Sequence, residues 1–162
     1  MKDHGFASLR LLLAELPGSV LETHAQHGDA TAVVAPGELL AVMRFLRDGP
    51  ELAFDMLSDV TAVDLLPREP RFEVVYHLYS LPKNQRLRIK ARVAEDACEV
   101  ESLVELWPSA NWLEREVYDL YGIRFRNHPD LRRLLLYEGF EGHPLRKDYP
   151  KERRQPLVGP RN

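Results

Sequence analysis

Apolar residues at Phe6, Leu9, Leu12, Leu13 and Leu16 recur at spacings of three and four, and this period predicts an amphipathic helix stopped by Pro17-Gly18. A short extended piece follows around Val20–Thr23, then Gly28-Asp29 as a turn and Thr31–Ala35 as a strand. Pro36 opens a second helix, with Leu39, Leu40, Val42, Met43 and Leu46 on its buried side and Gly49-Pro50 at its end. Leu52–Leu66 is mostly extended, and Pro67–Pro70 is a turn. The clearest alternation comes next: Phe72, Val74, Tyr76 and Leu78 against Glu73, Val75, His77 and Tyr79. Pro82–Gln85 is a hairpin loop. On the return strand Leu87, Ile89, Ala91 and Val93 alternate with Arg86, Arg88, Lys90 and Arg92, so one face is apolar and the other cationic. Glu73 or nearby carboxylates could pair across that hairpin, and a solvated face explains the charge row better than a nucleic-acid stripe.

Val100–Leu106 reads as a short helix before Trp107-Pro108. Ser109 then caps a further helix over Asn111–Tyr121, which Gly122 ends in the left-handed conformation. Beyond Gly122 the period is lost, and Pro129, Pro144 and Pro150 forbid a continuous helix. The pattern divides the chain into an α+β domain over 1–122, an extended motif-bearing arm over 123–150, and a basic, flexible tail over 151–162.

Charge sharpens that division. Residues 1–122 carry 12 Lys/Arg against 20 Asp/Glu, whereas residues 123–162 carry 10 against 5. A basic segment on an acidic body is expected to lie on something acidic: its own body, a protein partner or nucleic acid. Specific nucleic-acid binding calls for aromatic platforms or a readout helix among the arginines, and Lys151–Arg161 offers neither. The arm's apolar residues, among them Leu131, Leu134, Leu135, Phe140 and Leu145, also need a surface. The body alone is expected to offer too little, leaving the arm less protected in the isolated chain than beside a partner.

The chain of 162 residues, 44% hydrophobic and 29% charged, has a globular composition, and its longest apolar runs fall far short of the ~20 residues of a membrane span. The stretch after Met1-Lys2-Asp3-His4-Gly5 is broken by Arg10 and Glu15, unlike a secretory signal. One cysteine, Cys98, rules out an internal disulfide framework and points to a reducing compartment. Glu95, Asp96 and Glu99 around it should raise its thiol pKa.

No nucleophile elbow, phosphate-binding glycine loop or dinucleotide fingerprint is present. His24 and His27 lack ligand partners at metal-site spacing and read as exposed loop histidines. His128 and His143 each precede a proline, and with Glu141 and Asp148 they could assemble a two-histidine, carboxylate metal site of a hydrolase. The same His-Pro pattern is equally that of a ring nitrogen bonding backbone while proline fixes the chain's exit.

The densest polar constellation is Glu114-Arg115-Glu116 with Asp119, in a helix flanked by Trp112, Tyr118 and Tyr121. Arg115 and Asp119, four apart, should pair along one face. Partly buried acids there need cations, and Arg132-Arg133 and Arg146-Lys147 can supply them; at least two of the three carboxylates are expected to meet arginines.

Three stretches in fixed order carry a resemblance: Asn111-Trp112-Leu113-Glu114-Arg115-Glu116-Val117-Tyr118-Asp119-Leu120-Tyr121-Gly122-Ile123, then His128-Pro129-Asp130-Leu131-Arg132-Arg133-Leu134-Leu135, then Phe140-Glu141-Gly142-His143-Pro144-Leu145-Arg146-Lys147-Asp148-Tyr149-Pro150. They resemble the 30 kDa, or Nqo5-type, subunit of NADH–quinone oxidoreductase, respiratory complex I. The likeness extends upstream through Asp59, Asp64, Arg71–Tyr76 and Glu101-Ser102-Leu103. Tyr121 stands where that family usually has phenylalanine.

The resemblance implies an α+β fold: a mixed, largely antiparallel sheet with helices packed on it, plus an extended C-terminal arm. It also implies a structural subunit that binds no cofactor and is inactive alone, with FMN and iron–sulfur clusters in partner subunits. The partners implied are the quinone-site (D-type) subunit and the iron–sulfur subunits of the hydrophilic arm. The place implied is the cytoplasmic face of the cell membrane, reached only through the complex. The motif residues Glu114, Arg115, Glu116, Asp119, His128, Arg132, Arg133, Gly142, His143, Arg146, Lys147 and Asp148 are then expected to serve structure and partner contact. Related hydrogenases and dehydrogenases with other donors carry similar domains, so the donor stays open.

Overall fold

The computed structural model describes residues 6–152 and residue 155. The remaining expectations, for the first five residues and for most of the tail, lie outside the described residues.

Helix α1 (Phe6–Glu15) leads to strand β1 (Val20–His24), a 3-10 turn, β2 (Thr31–Val34), a second 3-10 turn opened by Pro36, and α2 (Leu39–Asp48). Then come β3 (Met56–Asp64), β4 (Phe72–Ser80), β5 (Gln85–Val93), β6 (Glu99–Glu101), α3 (Ala110–Tyr121) and β7 (Arg124–Arg126). Five strands form a sheet in the order β1-β2-β5-β4-β3, antiparallel except for the β2–β5 pair. This is the mixed, largely antiparallel sheet of an α+β fold.

The alternation of β4 and β5 turns Phe72, Val74, Tyr76, Leu78, Leu87, Ile89, Ala91 and Val93 into one core with Leu12, Leu39, Val42, Leu46 and Val117 from the three helices. Side chains buried to this degree each contribute roughly 1.5–3 kcal/mol relative to exposure. The helices therefore lie on one side of the sheet. On the other side three cations of the β5 row, Arg88, Lys90 and Arg92, pair with carboxylates. Glu73 accepts from Lys90 Nζ at 2.7 Å and from Arg92 Nε at 3.2 Å, and Arg88 meets Asp29 at 2.8 Å.

Four local expectations are corrected. Val100–Leu106 is not a helix: Glu99–Glu101 is a strand that pairs in parallel with β7, so the first residues of the arm belong to a second, two-stranded sheet. Turns then follow, in which the Leu103 carbonyl accepts from the N–H groups of Leu106 and Trp107. Ser109 makes no cap, because its hydroxyl donates to the Leu57 carbonyl at 3.2 Å instead. His24 is half-buried in β1 rather than exposed in a loop. Finally, the arm does not lack a surface on its own body. It lies across the end of α3 and the turn after β3, and the contacts described next hold it there.

Candidate functional site: an arm held by the motif helix

Helix α3 buries Ala110, Glu114, Arg115, Val117 and Asp119. An α-helix leaves its last four carbonyls unsatisfied, and in α3 these are met by Gly122 and the arm. Gly122, at φ +75°, donates its N–H to Tyr118 O at 2.9 Å. His143 Nδ1 donates to Asp119 O at 2.8 Å, Leu145 N to Leu120 O at 3.1 Å, and Arg146 Nε to Tyr121 O at 2.6 Å. Burial pushes the His143 pKa below its ordinary value, which keeps the ring neutral with its Nδ1 proton on that carbonyl.

One turn earlier, Arg115 and Asp119 do not pair with each other. Arg115 donates to the carbonyls of Arg132 at 3.1 Å and Arg133 at 3.2 Å, with its guanidinium over the Trp112 ring at 5.5 Å. Asp119, fully buried, takes the next three backbone groups. Its Oδ2 accepts from the N–H groups of Leu134, Leu135 and Leu136 at 2.8–3.0 Å, and its Oδ1 accepts from Arg133 Nη1 at 3.1 Å. Arg133 also reaches the Gly142 carbonyl, tying two passes of the arm together. Thus Arg115 receives carbonyls and Asp119 receives N–H groups from one continuous stretch of arm backbone.

A second anchor fixes the far end. Arg71 is buried at 1% exposure and grips Asp64 with Nε and Nη2, at 3.2 and 2.9 Å. The same guanidinium holds Asp148 of the arm at 2.7 and 3.0 Å and Glu95 at 2.7 Å. Burial alone would raise the Asp64 pKa. The Arg71 guanidinium and the N–H groups of Leu66 and Lys147 outweigh it and hold the carboxyl at about 2. Lys147 is tied through its backbone N–H to Asp64 and through Nζ to Leu66 O. In the sequence, Asp64 and Arg71 stand out only as part of the wider family likeness. The signal that could reveal them as an anchor is an arginine opening a strand of core residues.

Of the three acids Glu114, Glu116 and Asp119 in α3, only Asp119 meets an arginine among the described residues. Glu114 is buried and accepts from neutral donors, Ser102 Oγ and Leu103 N, both at 2.7 Å; burial pushes its pKa up to about 7. Glu116 is exposed. Among the four expected cations, Arg132 pairs with Asp130, Arg146 and Lys147 bond to carbonyls, and only Arg133 reaches a carboxylate of the helix.

His128 Nε2 donates to Asn111 O at 3.1 Å while its Nδ1 accepts from Asp130 N, so both His-Pro histidines serve backbone. With Asp148 on Arg71, the set His128, Glu141, His143 and Asp148 is not gathered, and no group of three or more potential ligands exists among the described residues. Burial raises the Cys98 thiol pKa, as does Glu95, against the opposing effect of Arg146 and Arg71.

This geometry defines a class: an α+β scaffold whose motif side chains act on backbone, shaping an arm across one helix. Residues 32–155 match the family described as "Respiratory-chain NADH dehydrogenase, 30 Kd subunit", and the chain belongs to it. The C subunit of the NADH-quinone oxidoreductase of Geotalea uraniireducens (strain Rf4) is 47% identical over 150 residues, covering 91% of this chain and 90% of the relative. Its counterpart of the same name from Rhodobacter capsulatus is 52% identical over 134 residues, covering 83% and 67%. Among solved structures, a trypsin-resistant fragment of Nqo5 aligns with a TM-score of 0.66 at 33% identity, over 77% of this chain and 98% of the fragment. A chain of an archaeal membrane-bound sulfane sulfur reductase shares the fold, with a TM-score of 0.75 at 22% identity over 91% and 86%.

Proposed function

We propose that the chain is a cofactor-free structural subunit of the hydrophilic arm of a proton-pumping NADH–quinone oxidoreductase. In this reading it braces the quinone-site subunit and adjoins the iron–sulfur subunits, while partners hold the FMN and clusters that pass electrons from NADH to quinone. One observation carries the reading. The buried motif side chains are engaged with this chain's own backbone, and the unit they shape leaves Trp112, Leu135 and Leu145 exposed at 63%, 61% and 49%. Exposed apolar side chains on a rigidly held surface suit a partner interface.

A single cysteine cannot furnish the thiolates of an iron–sulfur cluster. No helix among the described residues is long and apolar enough to cross a membrane; in this reading the chain is attached through its partners, at the cytoplasmic face. The fold alone is shared with a sulfur-reducing complex; relatives at 47–52% identity favour NADH as donor.

The test is complementation. Supplied with its own partner subunits in a host lacking its 30 kDa-type subunit, the chain is expected to restore membrane-bound NADH–quinone reduction. Purified alone it is expected to oxidise no NADH and to show no flavin or iron–sulfur absorption. Activity or such a spectrum in the isolated chain contradicts the reading.

A further inference from the structure

The sheet face turned away from the helices has two unlike halves. Where β4 begins and β5 ends, charges close on one another. Glu73 holds Lys90 and Arg92, Arg92 reaches Glu22 at 3.0 Å, and Val33 and Val75 of that face are buried. Where β4 and β5 approach their turn, the face stays open. A cleft of about 650 Å³ lies there among Met56, Ser58, His77, Tyr79, Arg86 and Arg88.

Arg88 is engaged by Asp29, but Arg86 makes no ion pair among the described residues; its guanidinium lies over the Tyr79 ring at 5.7 Å. Met56 in the cleft lining is 46% exposed, and Leu81, just past the end of β4 with its N–H on Asp55 at 3.0 Å, is 62% exposed. A stacked arginine beside tyrosine and methionine is the composition of interface centres. The charged lining residues are Arg86, Arg88 and Asp29, one cation in excess, so the complementary group is a carboxylate.

We infer that this cleft seats a carboxylate-bearing segment of a neighbouring subunit, with Arg86 meeting the carboxylate and Met56 and Leu81 packing its apolar residues. The inference rests on the structural-subunit reading and adds to it. The surface lies across the sheet from α3, so the chain bridges two neighbours rather than capping one.

The test uses the assembled complex, with a photo-crosslinking residue placed in turn at Leu81, at Thr61 of the same sheet face, and at Leu135 of the arm. Position 81 is expected to crosslink to another subunit at a segment containing Asp or Glu, and position 61 is expected to give none. Arg86→Glu should lower the assembled fraction several-fold while leaving the melting temperature of the isolated chain unchanged. Reversing the contacted carboxylate to lysine should restore assembly. Crosslinks from position 81 only within the chain or to a second copy overturn the inference, as does unchanged assembly of Arg86→Glu. If position 135 crosslinks and 81 does not, the cleft inference fails and the subunit reading stands; if neither crosslinks, both fail.

Discussion

Asp119 gathers four donors on one buried carboxylate, three backbone N–H groups and Arg133. Asp119→Ala strands all four, and removing one partner of a buried charge pair costs about 3–5 kcal/mol. Urea denaturation should report a loss of that order, against less than about 0.5 kcal/mol for the exposed neighbour substitution Glu116→Ala. Glu114 gives a pH signature of opposite kind. Its folded pKa, near 7, lies above the unfolded 4.5, so its protonation favours the fold. Stability should be fully present below about pH 4.5 and decline as pH rises through 7, by on the order of 3 kcal/mol, and Glu114→Gln should flatten that decline. Arg115, Asp119, Arg133 and His143 stood out in the sequence and the anchor pair Asp64 and Arg71 only within the family likeness, while the pairing of these groups was not legible. Spacing puts Arg115 and Asp119 four apart, where they would pair on an exposed helix. Here the arm backbone offers each several partners at once, and backbone partners carry no side-chain identity to read.

Gly122 shows how closely the arm crosses the end of α3. A Cβ there would lie 2.5 Å from His143 Nε2 and 2.8 Å from Arg146 Nη2, on a backbone at φ +75°. The left-handed conformation alone costs a non-glycine residue roughly 1–2 kcal/mol. Gly122→Ala is therefore expected to lower thermal stability by at least that much and to loosen residues 143–149, which amide exchange can localise. The three helices and the β4–β5 hairpin were readable from period, because each runs long enough to show one; β1 and β3 read only as extended pieces and β2 as a short strand, and the mixed sheet came from the family likeness. The three-residue strands β6 and β7 were not readable, since three residues display no alternation. The segment after Val100 has apolar positions that mimic helical spacing, yet Glu114 draws the N–H of Leu103 and the hydroxyl of Ser102 to itself and holds them extended toward α3.

At the scale of the molecule, part of the charge asymmetry between body and arm is met within the chain, where Arg126 pairs with Glu99 and Glu101, Arg133 with Asp119 and Arg146 with Glu95. Arg71 of the body clamps Asp64 together with Asp148 of the arm, and Asp119 and Arg115 hold the arm between these ends. The sequence pointed to a surface for the arm but not to its owner. Composition counts charges without their partners, and the body's receiving groups are backbone carbonyls, the acids Asp64 and Asp119, and the arginines Arg71 and Arg115, far apart in the chain. The central claim is that the arm is already docked in the free subunit, presenting a preformed face to its neighbours. Amide hydrogen exchange of the isolated chain tests this most directly. The N–H groups of Leu134, Leu135, Leu136, Leu145 and Lys147 should exchange far more slowly than free peptide, and Asp119→Ala should release the first three. Exchange of all five at free-peptide rates in the unassembled chain would contradict the account and transfer the ordering of the arm to its partners.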